Sequence, residues 1–118
     1  MKSLNSILIE GNLIEDPEFI KTDIGTSLCK FSIAAERFFK QEGKYQKEVS
    51  FFKVKTWARL AETCNQYLKK GREVRIVGRL KQDRWKGNDG EDKSAVYIIA
   101  DQVEFRPDFR KKENLPKE

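Results

Sequence analysis

The chain has 118 residues, 38% hydrophobic and 36% charged, with a formal net charge of +5. That length supports one domain with its own hydrophobic core and needs no disulfide or metal staple. Histidine is absent, and with no Gly-rich phosphate loop or nucleophile motif the composition argues against an enzyme and against a bound cofactor or metal.

Leu4 to Ile14 is apolar and β-branched enough for a first strand, with Gly11 marking a bulge or a close approach. Asp16-Pro17 starts a turn and Asp23-Ile24-Gly25 makes another. From Leu28 to Ala35 the residues alternate, with Cys29, Phe31, Ile33 and Ala35 on one face and Lys30, Ser32 and Ala34 on the other. This strand continues to Lys40 and breaks at Gln41-Glu42-Gly43-Lys44, a hairpin loop into a third strand ending near Trp57. Helical spacing occurs once, from Ala58 to Lys70, where Leu60, Ala61, Cys64 and Leu68 form a stripe. Lys69 and Lys70 would meet the negative end of its dipole and Gly71 would cap it. A fourth strand spans Arg72 to Lys86, with Val74 and Ile76 inward and Gly78 permitting a bend. Asn88-Asp89-Gly90 turns into a fifth strand, Ser94 to Phe105, the most apolar segment of the chain. The acids Asp89, Glu91 and Asp92 read as a charged hairpin tip rather than a cation site. The expected fold is all-β: a five-stranded OB-fold barrel over residues 1–106, with one short helix between strands three and four. Residues 107–118 are expected to be a short flexible polar tail.

Charge is unevenly spread. Residues 1–28 hold two lysines against five acids, net −3, whereas residues 37–86 hold fifteen Lys or Arg against five acids, net +10. A basic middle suits a polyanion. Cys29 and Cys64 lack metal-ligand or redox spacing and read as buried small hydrophobes. With no stretch approaching a membrane span, the expectation is an intracellular, cytoplasmic protein.

The segment Phe51-Phe52-Lys53-Val54-Lys55-Thr56-Trp57 is the most informative. As a strand it puts Phe52, Val54 and Thr56 on a core face and Phe51, Lys53, Lys55 and Trp57 on the other. Flat rings mixed with ammonium groups suit a ligand that offers stackable rings along an anionic backbone, as single-stranded nucleic acid does.

Over residues 4–106 the sequence resembles the bacterial single-stranded DNA-binding proteins. The resemblance rests on Asn5, Gly11-Asn12-Leu13 and Asp16-Pro17-Glu18; on Phe51-Phe52, Val54, Trp57 and Leu60-Ala61-Glu62; on Tyr67-Leu68-Lys69-Lys70-Gly71; and on Val74, Ile76, Gly78-Arg79-Leu80 and Trp85, in family order and spacing. It implies stacking of bases on Phe39, Phe51, Trp57 and Trp85. It also implies phosphate contacts from Lys53, Arg59, Lys69, Lys70, Arg84 and Lys93, with Lys40, Lys55 and Arg79 as further candidates. The implied role is to coat and protect single-stranded DNA with little sequence preference in replication, recombination and repair, as a homotetramer whose first strands pair between subunits. Such proteins carry an acidic tip that recruits repair enzymes. No acidic run follows Pro107 here, so that mode of recruitment is not carried over. The alternatives are a primosome-type OB protein bridging replication-restart partners, an RNA-binding module and a protein-interaction adaptor.

Overall fold

Two long hairpins shape the molecule, and each begins in turn chemistry written into the chain. The computed structural model describes residues 3–107; most of the polar segment expected at 107–118 therefore lies outside the described residues. The elements are β1 (Ile7–Leu13), β2 (Glu18–Lys21), β3 (Ser27–Gln41), β4 (Lys44–Trp57), α1 (Ala58–Tyr67), β5 (Glu73–Lys86) and β6 (Asp92–Phe105). Glu42 and Gly43 both take positive φ, 51° and 77°, which matches the twist of a two-residue loop to that of β3 and β4. The β5–β6 loop closes through Gly87 N–H to Glu91 O at 2.9 Å, with Gly90 at φ 80°.

The sheet runs β1-β5-β6-β4-β3 and closes on itself where Asn12 and Leu13 pair with Ala34 and Ile33. This is the expected five-strand barrel with one short helix. β2 extends it at an edge, pairing antiparallel with β3 from Glu18↔Lys30 to Lys21↔Ser27. The sequence reading left this strand unassigned. Closure demands tight crossings, and Gly11 and Gly78 sit at them. A Cβ on Gly11 would stand 2.8 Å from Ala34 O, and one on Gly78 would stand 2.1 Å from Ile99 O. The register shift falls at Val77/Gly78, so Gly78 marks the bend, while β1 passes Gly11 in regular register with Val74.

The inward faces of the strands supply Cys29, Phe31, Ile33, Val54, Thr56, Val74, Ile76 and Ile98, all buried. α1 plugs one barrel end with Ala61 and Cys64. Both cysteines are buried and free, as expected. The Thr56 hydroxyl donates to Cys29 O at 3.0 Å, which satisfies the one polar side chain buried in the middle of β4. Phe52 keeps the inward phase but is 36% exposed, because its rung with Ile33 is where the hairpin leaves the barrel.

The helix is shorter than its stripe. It stops at Tyr67, and Leu68 is already extended (φ −90°, ψ 143°) although its side chain stays buried. Lys69 and Lys70 therefore lie in the turn that follows, not in the last helical turn, and Gly71 (φ 90°) serves that turn instead of capping the helix. Several residues that carry the resemblance are clamps. Asn5 donates to Leu80 O at 2.9 Å and accepts from Leu80 N–H at 3.0 Å. Asn12 donates to Gly71 O at 3.1 Å, and Asp16 accepts from Lys70 N–H at 2.8 Å. Ser27 donates to Glu62 at 3.2 Å, tying α1 to β3. No helix among the described residues is long and apolar enough to cross a membrane.

Candidate nucleic-acid interface

The alternation of β4 is realised in the barrel. Val54 and Thr56 are buried, while Phe51 is 65% exposed, Trp57 39% exposed and Lys53 open to solvent. Pairing with β3 sets Phe51 beside Ala34, Lys53 beside Ser32 and Lys55 beside Lys30 on one outer face. The parallel pair Lys55↔Ile99 passes this face to β6, and the antiparallel register with β5 carries it through Arg79, Lys81, Asp83 and Trp85. A groove of about 700 Å³ lies along it, lined by Ser32, Lys53, Lys55, Asp83, Trp85 and Tyr97 among others.

The groove floor is electrostatically organised. The Lys55 ammonium sits 4.0 Å from the centroid of the Tyr97 ring and 4.0 Å from Asp83. Lys81 holds the same carboxylate at 3.0 Å. The Lys81 hydrogen bond keeps Asp83 below its ordinary range, helped by the neighbouring Tyr97 hydroxyl and the nearby charge of Lys55. Burial and the neighbouring Asp83 carboxylate in turn push the Tyr97 hydroxyl up. One rim is acidic. Glu15, Asp16 and Glu18 line it, and Glu18 pairs with Lys30 at 3.3 Å. The acidic start of the chain thus borders the basic face.

The expected ligand-facing residues separate into groups. Phe51, Trp57, Trp85, Lys53, Lys55, Arg79 and Lys93 share the outer face, Lys93 standing opposite Trp85. Arg84 is in the opposite phase of the β5–β6 hairpin, where it donates to Gln82 at 3.1 Å. Arg59 opens α1, and Lys69 and Lys70 follow its end, away from the groove lining. Lys40 shares the outer phase of β3 far out on the β3–β4 hairpin, where it lies 5.7 Å from the centre of the Tyr45 ring. Phe39 is in the opposite phase, half-buried beneath Arg37 at 4.7 Å. Tyr97, Asp83 and Lys30 were missed by sequence reasoning; counting strand phase back from Ile99 would have found Tyr97.

Ion pairing separates most of the expected cations from the others, although Lys21, Lys44 and Arg72, outside that set, also make no ion pair among the described residues. Among the described residues, Lys40, Lys53, Arg59, Lys69, Lys70, Arg79, Arg84 and Lys93 make no ion pair, and only Lys55 of the expected set does. Lys30, Arg37, Lys47, Arg75, Lys81, Lys86 and Arg106 are each paired with an acid. The unpaired charges can bind an anion without first breaking an ion pair, although Arg84 would release Gln82 and Lys40 lies near the Tyr45 ring.

A closed five-strand barrel with one short helix is an OB-fold, and an aromatic, cationic outer groove is chemistry of the kind that suits an extended polyanion. The model of the single-strand binding protein family matches residues 4–106, and the chain belongs to that family. It is 38% identical over 105 residues to a single-stranded DNA-binding protein of Treponema pallidum, covering 89% of this chain and 59% of the relative. It is 37% identical to the single-stranded DNA-binding protein 2 of Chlorobaculum tepidum, covering 89% and 72%. The chain thus spans about three fifths of the length of the Treponema relative. Among solved structures, a Thermus aquaticus single-stranded DNA-binding protein (a deletion mutant) superposes with a TM-score of 0.80 at 26% identity, over 89% of this chain and 51% of that one. A Plasmodium falciparum single-stranded DNA-binding protein solved with single-stranded DNA superposes at 0.83 over 91% and 98%; at 23% identity this likeness speaks to fold alone.

Proposed function

We propose that this protein binds single-stranded DNA with little sequence preference and coats it during replication, recombination and repair. The observation that carries this reading is the outer face, where exposed Phe51, Trp57 and Trp85 stand among cations, of which Lys53, Arg79 and Lys93 make no ion pair among the described residues while Lys55 is held by Asp83. Bases stack on the rings, phosphates take the ammonium and guanidinium groups, and no chemical step or cofactor is involved. Stacking tolerates any base because every base has a π-face. Lys53, Lys55, Arg79 and Lys93 supply the contacts on the face itself, and Arg59, Lys69, Lys70, Arg84 and Lys40 extend the positive field around it. The binding domain comprises residues 1–106.

A homotetramer fits this reading. β1 pairs with β5 from Ile7 to Asn12 but with β3 only at Asn12 and Leu13, which leaves one edge of Ile7–Gly11 unpaired among the described residues. Leu8 on that strand is 69% exposed. Such an edge favours strand pairing with a second copy, and several barrels on one DNA strand raise the effective concentration of binding sites. Sedimentation equilibrium is expected to give four times the 13.8 kDa chain mass.

The primary test is tryptophan fluorescence, because Trp57 and Trp85 are the only two tryptophans. A thymidine oligomer should quench both, a matched duplex should not, and salt should weaken the effect. With about six phosphate contacts the log–log salt slope is about −4, a few hundred-fold loss between 50 and 200 mM. Absence of quenching at low salt would sink the stacking mechanism, and stronger binding to a matched RNA oligomer would reassign the ligand.

A further inference from the structure

The outer face does not end at Phe51. Beyond the barrel the β3–β4 register continues without a bulge, through Glu36↔Val49, Phe38↔Lys47 and Lys40↔Tyr45. Each of the last two rungs sets one exposed ring opposite one lysine. Phe38 is 68% exposed and Tyr45 83% exposed. This repeats, out on the hairpin, the mixture of rings and ammonium groups that lines the barrel face. The other side of the hairpin is already satisfied: Arg37 covers the Phe39 ring and pairs with Glu48 at 3.9 Å.

The geometry points to a base-stacking track that leaves the barrel at Phe51 and runs out along this hairpin over Phe38 and Tyr45, with Phe38 rather than Phe39 as its first ring. The inference rests on the proposed binding of single-stranded DNA. From Phe51 to Phe38 is four residues of strand, about 14 Å, and to Tyr45 six residues, about 20 Å. A stacked strand advances about 3.4 Å per nucleotide, so the extension accommodates about six stacked nucleotides or fewer splayed ones. Bridging Val49 is 37% exposed and offers an apolar surface under the path. Lys40 and Lys47 stand opposite the rings on the same face, Lys40 5.7 Å from the Tyr45 ring centre, and the Lys47–Glu36 pair at 3.9 Å is open to solvent and readily exchanged.

The test uses fluorescence anisotropy of labelled thymidine oligomers on the full chain. One oligomer is the shortest that saturates the barrel groove, and the second is about six nucleotides longer. F38A and Y45A are each expected to weaken the longer oligomer about 5-fold or more, at the low end for loss of a stacked base, and to leave the shorter one within 2-fold. F38Y should restore binding. F38L, which keeps the apolar contact across the hairpin but has no flat ring, should behave like F38A. The inference is overturned if F38A and Y45A match the parent at both lengths, if F38L binds like the parent, or if F39A shows the length-dependent loss and F38A does not. Failure of the unsubstituted protein to bind either oligomer would instead overturn the reading of single-stranded DNA binding itself.

Discussion

Replacing Phe51 by alanine isolates stacking from every other contribution. The side chain is 65% exposed on a rung with Ala34, so its removal opens no cavity in the barrel. A large aromatic side chain carries about 200 Å² of surface in all. With 65% of it free, about 130 Å² faces solvent. A base lying on one side of the ring covers about half of that, and at about 25 cal/mol per Å² the contact is worth about 1.6 kcal/mol. This falls within the range of about 1–3 kcal/mol typical of stacked bases. Affinity for a thymidine oligomer should therefore drop about 15-fold. The assay is anisotropy with a labelled oligomer at several salt concentrations, beside a thermal melt of the free protein. The log–log salt slope should not change, because no phosphate contact is lost. The melt should shift little. Affinity within 2-fold of the parent, with the fold intact, would refute the assignment of Phe51; a loss accompanied by a shallower salt slope would mean that the ring acts only by placing Lys53.

Four further outcomes follow from the same geometry. Lys53→Ala should flatten the salt slope by about 0.7, the share of one phosphate contact on a single strand; an unchanged slope would remove Lys53 from the interface. Asp83→Asn removes the carboxylate that holds Lys55 and Lys81, and should tighten binding about 5-fold at low salt, on the scale of one solvent-screened charge contact. Weaker binding would show that Asp83 acts by positioning the lysines. Ala58 starts α1 at φ 58°, a conformation that costs a residue with a Cβ about 1–2 kcal/mol, so Ala58→Gly should stabilise the fold by about 0.5–1 kcal/mol in urea titration, part of the gain being offset by glycine entropy. Burial pushes the Cys64 thiol up from 9.0 to about 12. The folded state then keeps the proton that the unfolded chain gives up, so this contribution is intact below pH 9.0 and is lost as pH rises toward about 12. The slope should approach about 1.4 kcal/mol per pH unit, and be shallower in Cys64→Ala.

What the sequence made legible follows from which signals are local. Alternation along β4 is a two-residue period, and it sorted Val54 and Thr56 from Phe51 and Trp57 before any pairing was known. Turn chemistry located both long hairpins, because Glu42-Gly43 and Asn88-Asp89-Gly90 are punctuated by residues that accept positive φ. β2 escaped because four residues at an edge, just after a proline, carry no full period. The end of α1 escaped because Leu68 continues the helical stripe by spacing while being buried from an extended conformation. The hardest feature was sidedness far from the core. Phe38 and Phe39 are adjacent, and a single extra residue in β3 between Ile33 and Phe38 would exchange their faces. Only the uninterrupted register from Leu28↔Trp57 to Gln41↔Lys44 shows that no such bulge exists. The ring that shares the outer face with Phe51 is thus decided by strand geometry some five residues away, not by the character of either phenylalanine.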